Sequence, residues 1–347
     1  MPRTYRGEPG APLSLDLALQ GGGSHGAFTW GALDALLEAN RFRLTGISGT
    51  SAGAMNAALM AAGFSQGGVA GAREALRRFW TAVGGVAACW GAPPSELPGW
   101  AFNRSQWPGY ALWESWLRLW SPYQFNPLNL DPLRDILQAQ LDLRALRRSP
   151  IKVFVTATSV RTGQARVFSG DELGIDALLA SACLPLQAQT VVIDGEPYWD
   201  GGYAGNPAIW PLVYGTPTHD VLLVQINPRE YVGIPRTAAQ IADRVNEISF
   251  NASLVAELRA IAFVQKLVRE HRVDPSRYKD LRLHRVADDA GLRPYDASSK
   301  LNTDPRLLRQ LFELGRAAAL AWLRRDAEWV GKASSVDIGE AYLDRSR

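Results

Sequence analysis

Residues 13–62 read LSLDLALQ-GGGSHG-AFTWGALDALLEAN-RFRLTGIS-GTSAG-AMNAALMAA, and this stretch decides the fold class. Leu13 to Gln20 is a short run of alternating apolar residues, the pattern of a strand. It breaks at Gly21-Gly22-Gly23-Ser24-His25-Gly26. Ala27 to Ala39 then predicts a helix with Leu33, Leu36 and Leu37 on one buried face. Arg43 to Ser48 predicts a second strand, which runs into Gly49-Thr50-Ser51-Ala52-Gly53 and a small-residue helix over Ala54 to Ala62. Strand, glycine loop, helix, strand, tight turn, helix is a βαβα start. Such a start favours a parallel sheet with helices on its faces.

Outward from this start the pattern continues as an α/β chain. A loop is expected over Gly63 to Gly71 and a helix over Ala72 to Val83. Residues 84–130 hold Trp90, Trp100, Trp107, Trp113, Trp116 and Trp120, half of the chain's 12 tryptophans, among many Pro and Gly. Asp131 to Leu141 predicts a helix. Ile151 to Ser159 and Ala165 to Phe168 predict strands joined at Arg161-Thr162-Gly163, and Ile175 to Ser181 a short helix. Val191 to Ile193 and Tyr198-Trp199 predict a hairpin around Gly195, and Val221 to Ile226 a buried central strand. Helices are expected over Ala238 to Glu270 and Pro305 to Trp329, with a strand at Leu281 to Val286 between them. The domain division is then a lead-in over 1–12, a catalytic domain over 13–230 with an insert or lid at 84–130, and a mainly helical C-terminal extension over 231–347, packed on the core.

Composition narrows the function classes. The chain of 347 residues is 47% hydrophobic and 20% charged, with a net charge of +3, too small to argue for nucleic acid. Cys89 and Cys183 are the only cysteines, which excludes a disulfide scaffold and a cysteine-based zinc site and predicts two buried thiols. Nothing in the pattern calls for a metal or a cofactor. The polar, Pro- and Gly-rich Met1 to Pro12 lacks the apolar core of a secretory signal, and Leu44 to Ala72 is a poor membrane span. A cytoplasmic protein is expected, touching membranes only at their surface if at all.

Three motifs carry chemistry. Gly49-Thr50-Ser51-Ala52-Gly53 is a G-x-S-x-G between a strand and a helix. A nucleophile on so tight a turn needs glycine on both flanks, and the helix behind it points its positive end at the serine. Gly21 to Gly26 exposes backbone N–H groups at a helix start, a nest suited to an anion. It also satisfies G-x-G-x-x-G through Gly21, Gly23 and Gly26, but a dinucleotide site needs an acid at the end of the second strand, and none is there. An oxyanion hole explains both loops together, since neighbouring parallel strands bring them side by side. The third is Asp200-Gly201-Gly202, a carboxylate on a loop that must pass close to another backbone; alone it is no more than a common turn. His219, His271 and His284 follow Asp200, so the order Ser, Asp, His is formally available. Only about two strands fit before Ser51, however, too few for that fold. The histidines read as structural or surface residues.

Together these motifs resemble the patatin-like phospholipase family over Leu13 to Asn227. The segment Ala180-Ser181-Ala182-Cys183-Leu184-Pro185 and Asn206-Pro207 belong to the same pattern. The resemblance implies a three-layer α/β/α fold with a mostly parallel sheet and hydrolysis of acyl esters by a Ser–Asp dyad. Ser51 would be the nucleophile and Asp200 its base. The oxyanion site would lie in Gly21, Gly22, Gly23, Ser24, His25 and Gly26, with the N–H groups of Gly22 and Gly23 as donors. Gly49, Gly53, Gly201, Gly202 and Asn206 would support the loops. One departure is His25, where the family usually carries Arg or Lys; either a partly charged histidine positioning the loop through a hydrogen bond, or a histidine simply packed at a helix start, is expected instead.

Trp113, Trp116 and Trp120 fall on one helical face, which suits a cover over an apolar acyl pocket or ordinary packing. Leu254, Leu258, Ile261, Val264 and Val268 would pack on the core, whereas Leu307, Leu308, Leu311 and Leu314 would pack on it or form a homodimer interface. The expected partner is an ester or lipid substrate, with peripheral membrane contact and no nucleic acid. Short hydroxyalkanoate oligomers are an alternative substrate. A non-catalytic lipid- or nucleotide-binding protein of the same fold is the alternative from another class, and the intact Ser51 and Asp200 argue against it.

Overall fold

The computed structural model describes residues 12–88, 99–103, 105, 109, 119–228, 233–274 and 276–343. The expected lead-in, apart from Pro12, lies outside them, as do Cys89, Trp90, Trp107, Trp113 and Trp116 of the insert. The shared helical face expected for Trp113, Trp116 and Trp120 therefore also falls outside the described residues.

Eight strands form one sheet: β1 (Leu13–Leu19), β2 (Phe42–Thr50), β3 (Lys152–Ser159), β4 (Ala165–Ser169), β5 (Val191–Ile193), β6 (Glu196–Asp200), β7 (Asp220–Val224) and β8 (Arg282–Val286). Their order is β5-β6-β3-β2-β1-β7-β8, with β4 also paired to β3. The centre, from β3 through β2, β1 and β7 to β8, is parallel, and the β4, β5 and β6 pairings are antiparallel. Because β8 comes from beyond residue 230, the sheet crosses the division expected there.

Alternation along the strands builds the layers. In β1, Leu15, Leu17 and Leu19 enter one core with Phe28, Leu33, Met55 and Trp322, whereas Ala18 enters the other. In β7, Leu222 and Val224 face the first core, and Val221 and Leu223 face the second with Leu254, Leu258 and Leu283. The first face carries helices α1 (Gly26–Ala39), α2 (Ala52–Ala88), α3 (Pro132–Gln140), α4 (Leu143–Arg147), α5 (Ile175–Ser181) and α8 (Pro305–Arg325); the second carries α6 (Trp210–Gly215) and α7 (Ala238–Arg269). This is a three-layer α/β/α fold. The helix starts are set locally: Asp131 accepts from the N–H groups of Leu133 and Arg134 ahead of α3, Thr237 and Gln240 form a capping box on α7, and Asp304 with Pro305 opens α8.

One expectation is corrected. The loop predicted over Gly63 to Gly71 is helix, broken only at Gly67 and Gly68. Its glycines are packing devices: a Cβ on Gly63 would lie 2.5 Å from the Gly71 carbonyl oxygen, and one on Gly71 would lie 2.3 Å from that of Gly63. The turn at Asp194 and Gly195, both at positive φ (52° and 78°), closes the β5–β6 hairpin as a two-residue loop requires.

The C-terminal helix docks by backbone contact. A Cβ on Gly315 of α8 would lie 1.8 Å from the Phe28 carbonyl oxygen, and one on Gly31 of α1 1.9 Å from that of Phe312. Arg316 and Arg73 both pair with the buried Asp34 of α1.

Candidate active site

The elbow follows from the register of β2. Thr50 pairs with Thr156 of β3, and the next residue of β3, Ala157, pairs with Asp200 of β6. The strand that loses β2 at the elbow therefore takes up β6 at once, which sets Asp200 beside Ser51. Ser51 has a φ of 53°, in the left-handed region. That conformation costs a non-glycine residue about 1–3 kcal/mol. Contacts on both sides enforce it. A Cβ on Gly49 would lie 2.5 Å from the Gly53 carbonyl oxygen, and one on Gly53 2.3 Å from that of Leu19. The Ser51 N–H donates to Ser181 Oγ at 2.8 Å, and that hydroxyl donates to the Thr156 carbonyl at 2.6 Å. Ser181→Ala removes a buried two-way bridge between elbow and sheet. A destabilisation of about 1–3 kcal/mol is expected in chemical denaturation, and an unchanged midpoint would refute the bridging role.

Asp200 is buried. Its Oδ1 accepts from the Gly202 N–H at 2.7 Å, while Oδ2 is enclosed without a hydrogen-bond partner. Burial pushes the carboxyl up to about 7, against the lowering effects of the Gly202 N–H, the Ser51 hydroxyl and Lys300. The two glycines after it both make close contacts, the first of them against backbone. A Cβ on Gly201 would lie 2.0 Å from the Thr156 carbonyl oxygen, and one on Gly202 2.3 Å from the Phe250 ring.

The glycine loop leaves β1 beside the elbow, so close that a Cβ on Gly21 would lie 2.7 Å from the Thr50 carbonyl oxygen. Its N–H groups divide into two sets. Gly21 donates to Asn206 Oδ1 at 2.6 Å, His25 to the Gly22 carbonyl at 3.2 Å, and Gly26 to the carbonyls of Gly23 and Ser24. Gly22, Gly23 and Ser24 line the same cavity as Ser51 and Asp200. Of the six loop residues expected to form an oxyanion site, the middle three thus border the cavity. Gln20 anchors the loop from below: its Oε1 accepts from the N–H groups of Ile226 and Asn227, and its Nε2 donates to the Asn206 carbonyl.

His25 is buried and held near 3 by burial, with Lys300 adding to the effect, so the ring is neutral at ordinary pH and not partly charged as expected. Its Nε2 shares a hydrogen bond of 2.7 Å with Ser299 Oγ.

The shared cavity has a volume of about 560 Å³. Met55, Phe79, Trp80, Leu133, Ile136 and Leu184 give it an apolar wall. The described parts of the 84–130 insert flank it: the Ser105 N–H donates to Ser298 Oγ at 2.9 Å, and Gln189 donates to the Asn126 carbonyl at 2.7 Å. A second cavity, about 600 Å³, lies at the strand-start edge beside Leu15, Leu44 and Lys152, away from these groups.

The other histidines stand elsewhere. His284 bridges Asp220 Oδ1 and Ser335 Oγ, both at 3.0 Å. Asp220 opens β7 and so lies at the strand-start edge, opposite the elbow. Burial alone would raise its carboxyl, but His284, Arg282 and the Gly331 N–H hold it down to about 2, as in a structural clasp. His219 is exposed and bonds the Asp280 carbonyl. Cys183 is buried, and burial raises its thiol to about 11. Among the described residues no helix is long and apolar enough to cross a membrane. Sequence reading had no signal for Gln20, Asn227 or Lys300, whose roles arise only when distant segments meet.

Comparison with known proteins gives the family. The model of the patatin-like phospholipase family matches residues 17–213. No curated protein matches significantly. Among solved structures, the chain is similar to VipD from Legionella pneumophila at 17% identity, with a TM-score of 0.38, over 96% of this chain and 73% of that one. It is also similar to ExoU, in complex with SpcU from the type III secretion system of Pseudomonas aeruginosa, at 15% identity, with a TM-score of 0.28, over 96% of this chain and 77% of that one. With more than half of its 347 residues matched by the family model, the chain belongs to the patatin-like phospholipase family, whose general chemistry is lipid-ester hydrolysis.

Proposed function

We propose that the protein is a serine acyl hydrolase that cleaves lipid or other carboxylic esters through Ser51 and Asp200. The observation that carries this reading is the shared cavity. A serine in a strained turn, a buried carboxyl and the loop residues Gly22, Gly23 and Ser24 all line one cavity with an apolar wall. The Ser51 hydroxyl attacks the ester carbonyl carbon as Asp200 takes its proton. The N–H groups of Gly22 and Gly23 receive the negative charge that develops on the carbonyl oxygen. The leaving alcohol departs with the proton, and water, activated by the same carboxylate, releases the acyl group from Ser51. With its carboxyl near 7, Asp200 exchanges protons with a hydroxyl or a water more readily than an ordinary surface aspartate.

The apolar wall suits an acyl chain, which makes a phospholipid, a lysophospholipid or a simple carboxylic ester the preferred substrate over short polyesters. The protein works without a cofactor, in the cytoplasm or at a membrane surface. The test is hydrolysis of a chain-length series of nitrophenyl esters and a phospholipid panel, comparing wild type with Ser51→Ala. Rates that rise with chain length and vanish in the variant are expected; turnover surviving Ser51→Ala would refute the assignment.

A further inference from the structure

We infer that Lys300, from the C-terminal third, is a positioning residue of the oxyanion loop and supplies the positive charge that the loop itself lacks. The inference rests on the reading of Ser51, Asp200 and the glycine loop given above. It is carried by geometry at three points. The Lys300 backbone is pressed on the loop, since a Cβ on Gly23 would lie 2.2 Å from the Lys300 carbonyl oxygen, and Gly23 has a φ of 57°. The Lys300 Nζ donates to Asn227 Oδ1 at 2.8 Å, and Asn227 Nδ2 in turn donates to the Gly21 carbonyl at 2.9 Å. Lysine, asparagine and loop thus form one relay. Lys300 is also the sole cation among the described residues lining the cavity that holds Ser51, Asp200, Gly22 and Gly23.

The surroundings explain why a charge is useful there. With His25 neutral, the loop from Gly21 to Gly26 carries no formal charge of its own. An oxyanion at Gly22 and Gly23 is then stabilised by N–H dipoles alone unless a neighbour contributes a full charge, which in an enclosed site acts strongly. Burial lowers the pKa of the Lys300 ammonium, and Glu247, Asp243, Asp296 and Asp200 around it offset that lowering only in part. Its field reaches both His25 and the Asp200 carboxyl, and it favours the ionised form of the latter.

Lys300→Gln keeps a donor for Asn227 and removes the charge; Lys300→Met removes both. For Lys300→Gln on a short neutral nitrophenyl ester, kcat is expected to fall about 10- to 100-fold with KM within about threefold. The acid limb of kcat/KM should move to higher pH, because Asp200 loses a cation that favours its ionised form. Lys300→Met should lose more. Wild-type kcat and an unmoved acid limb in a folded Lys300→Gln protein would overturn the inference. A readout without turnover is the pH at which the stability difference between each background and its Asp200→Asn derivative levels off. That pH should be higher in the Lys300→Gln background; identical curves would equally overturn the inference. A wild-type protein that hydrolyses no ester would sink the proposed function, and these curves would still decide the electrostatic role of Lys300.

Discussion

Asp200→Asn is expected to lower turnover by about 10³-fold or more while making the protein more stable at pH 8. Loss of the base alone removes a general-base contribution of roughly 10²–10⁴, and asparagine cannot carry the proton between attack and departure. Stability moves the other way because the carboxyl is raised from 3.8 to about 7. A carboxyl raised in the folded state favours folding only while protonated. That contribution is complete below the ordinary carboxylate value and is lost as pH rises through about 7. At pH 8 wild type therefore bears the whole cost of a buried charge, on the order of 4 kcal/mol for such a shift. Asparagine is free of it and keeps an oxygen for the Gly202 N–H. The gap in stability should open between about pH 4 and pH 7 and level off above. In wild type kcat/KM should fall below about pH 7, where Asp200 takes up a proton. A destabilised Asp200→Asn protein at pH 8 would mean that the carboxyl is not strained by burial.

The second large effect concerns the fold. Gly315→Ala puts a Cβ 1.8 Å from the Phe28 carbonyl oxygen, where backbone meets backbone and no flexible side chain can yield. Overpacking of a core costs about 1–3 kcal/mol when side chains can adjust; here a loss of about 3 kcal/mol or more is expected in urea denaturation. Activity should drop as well, since α1 begins at Gly26, directly after the glycine loop, and Phe28 lies in its first turn. A stability within about 0.5 kcal/mol of wild type would show that α8 stands further from α1 than the structure places it.

The legible part of this chain is the part in which local pattern and tertiary need coincide. Leu13 to Ala62 displays its strands and helices by period, and Gly21, Gly49 and Gly53 sit where β1, β2 and their loops crowd together. The Asp-Gly-Gly motif at Asp200, a common turn when taken alone, does lie at a close pass, Gly201 against the Thr156 backbone and Gly202 against the Phe250 ring. Gly63 to Gly71 misled for the same reason in reverse: glycine marks close approach of helical turns as readily as it marks a loop. Lys300 was invisible. It sits in the polar turn Ala297–Leu301, without periodicity, and acquires its partners only when the segment folds back over residues 21–23. His25 was read as partly charged from the ordinary range of a histidine, yet it is buried against Tyr295 and Ser299, from the other end of the chain.

The central claim is that Ser51 is the nucleophile and that Asp200 activates it. Its most direct test is to react the protein with a fluorophosphonate and locate the adduct by peptide mass spectrometry. A single adduct on Ser51 is expected, formed on wild type, absent from Ser51→Ala and formed far more slowly on Asp200→Asn. Labelling at another serine, or equal labelling of Ser51 with and without Asp200, would contradict it.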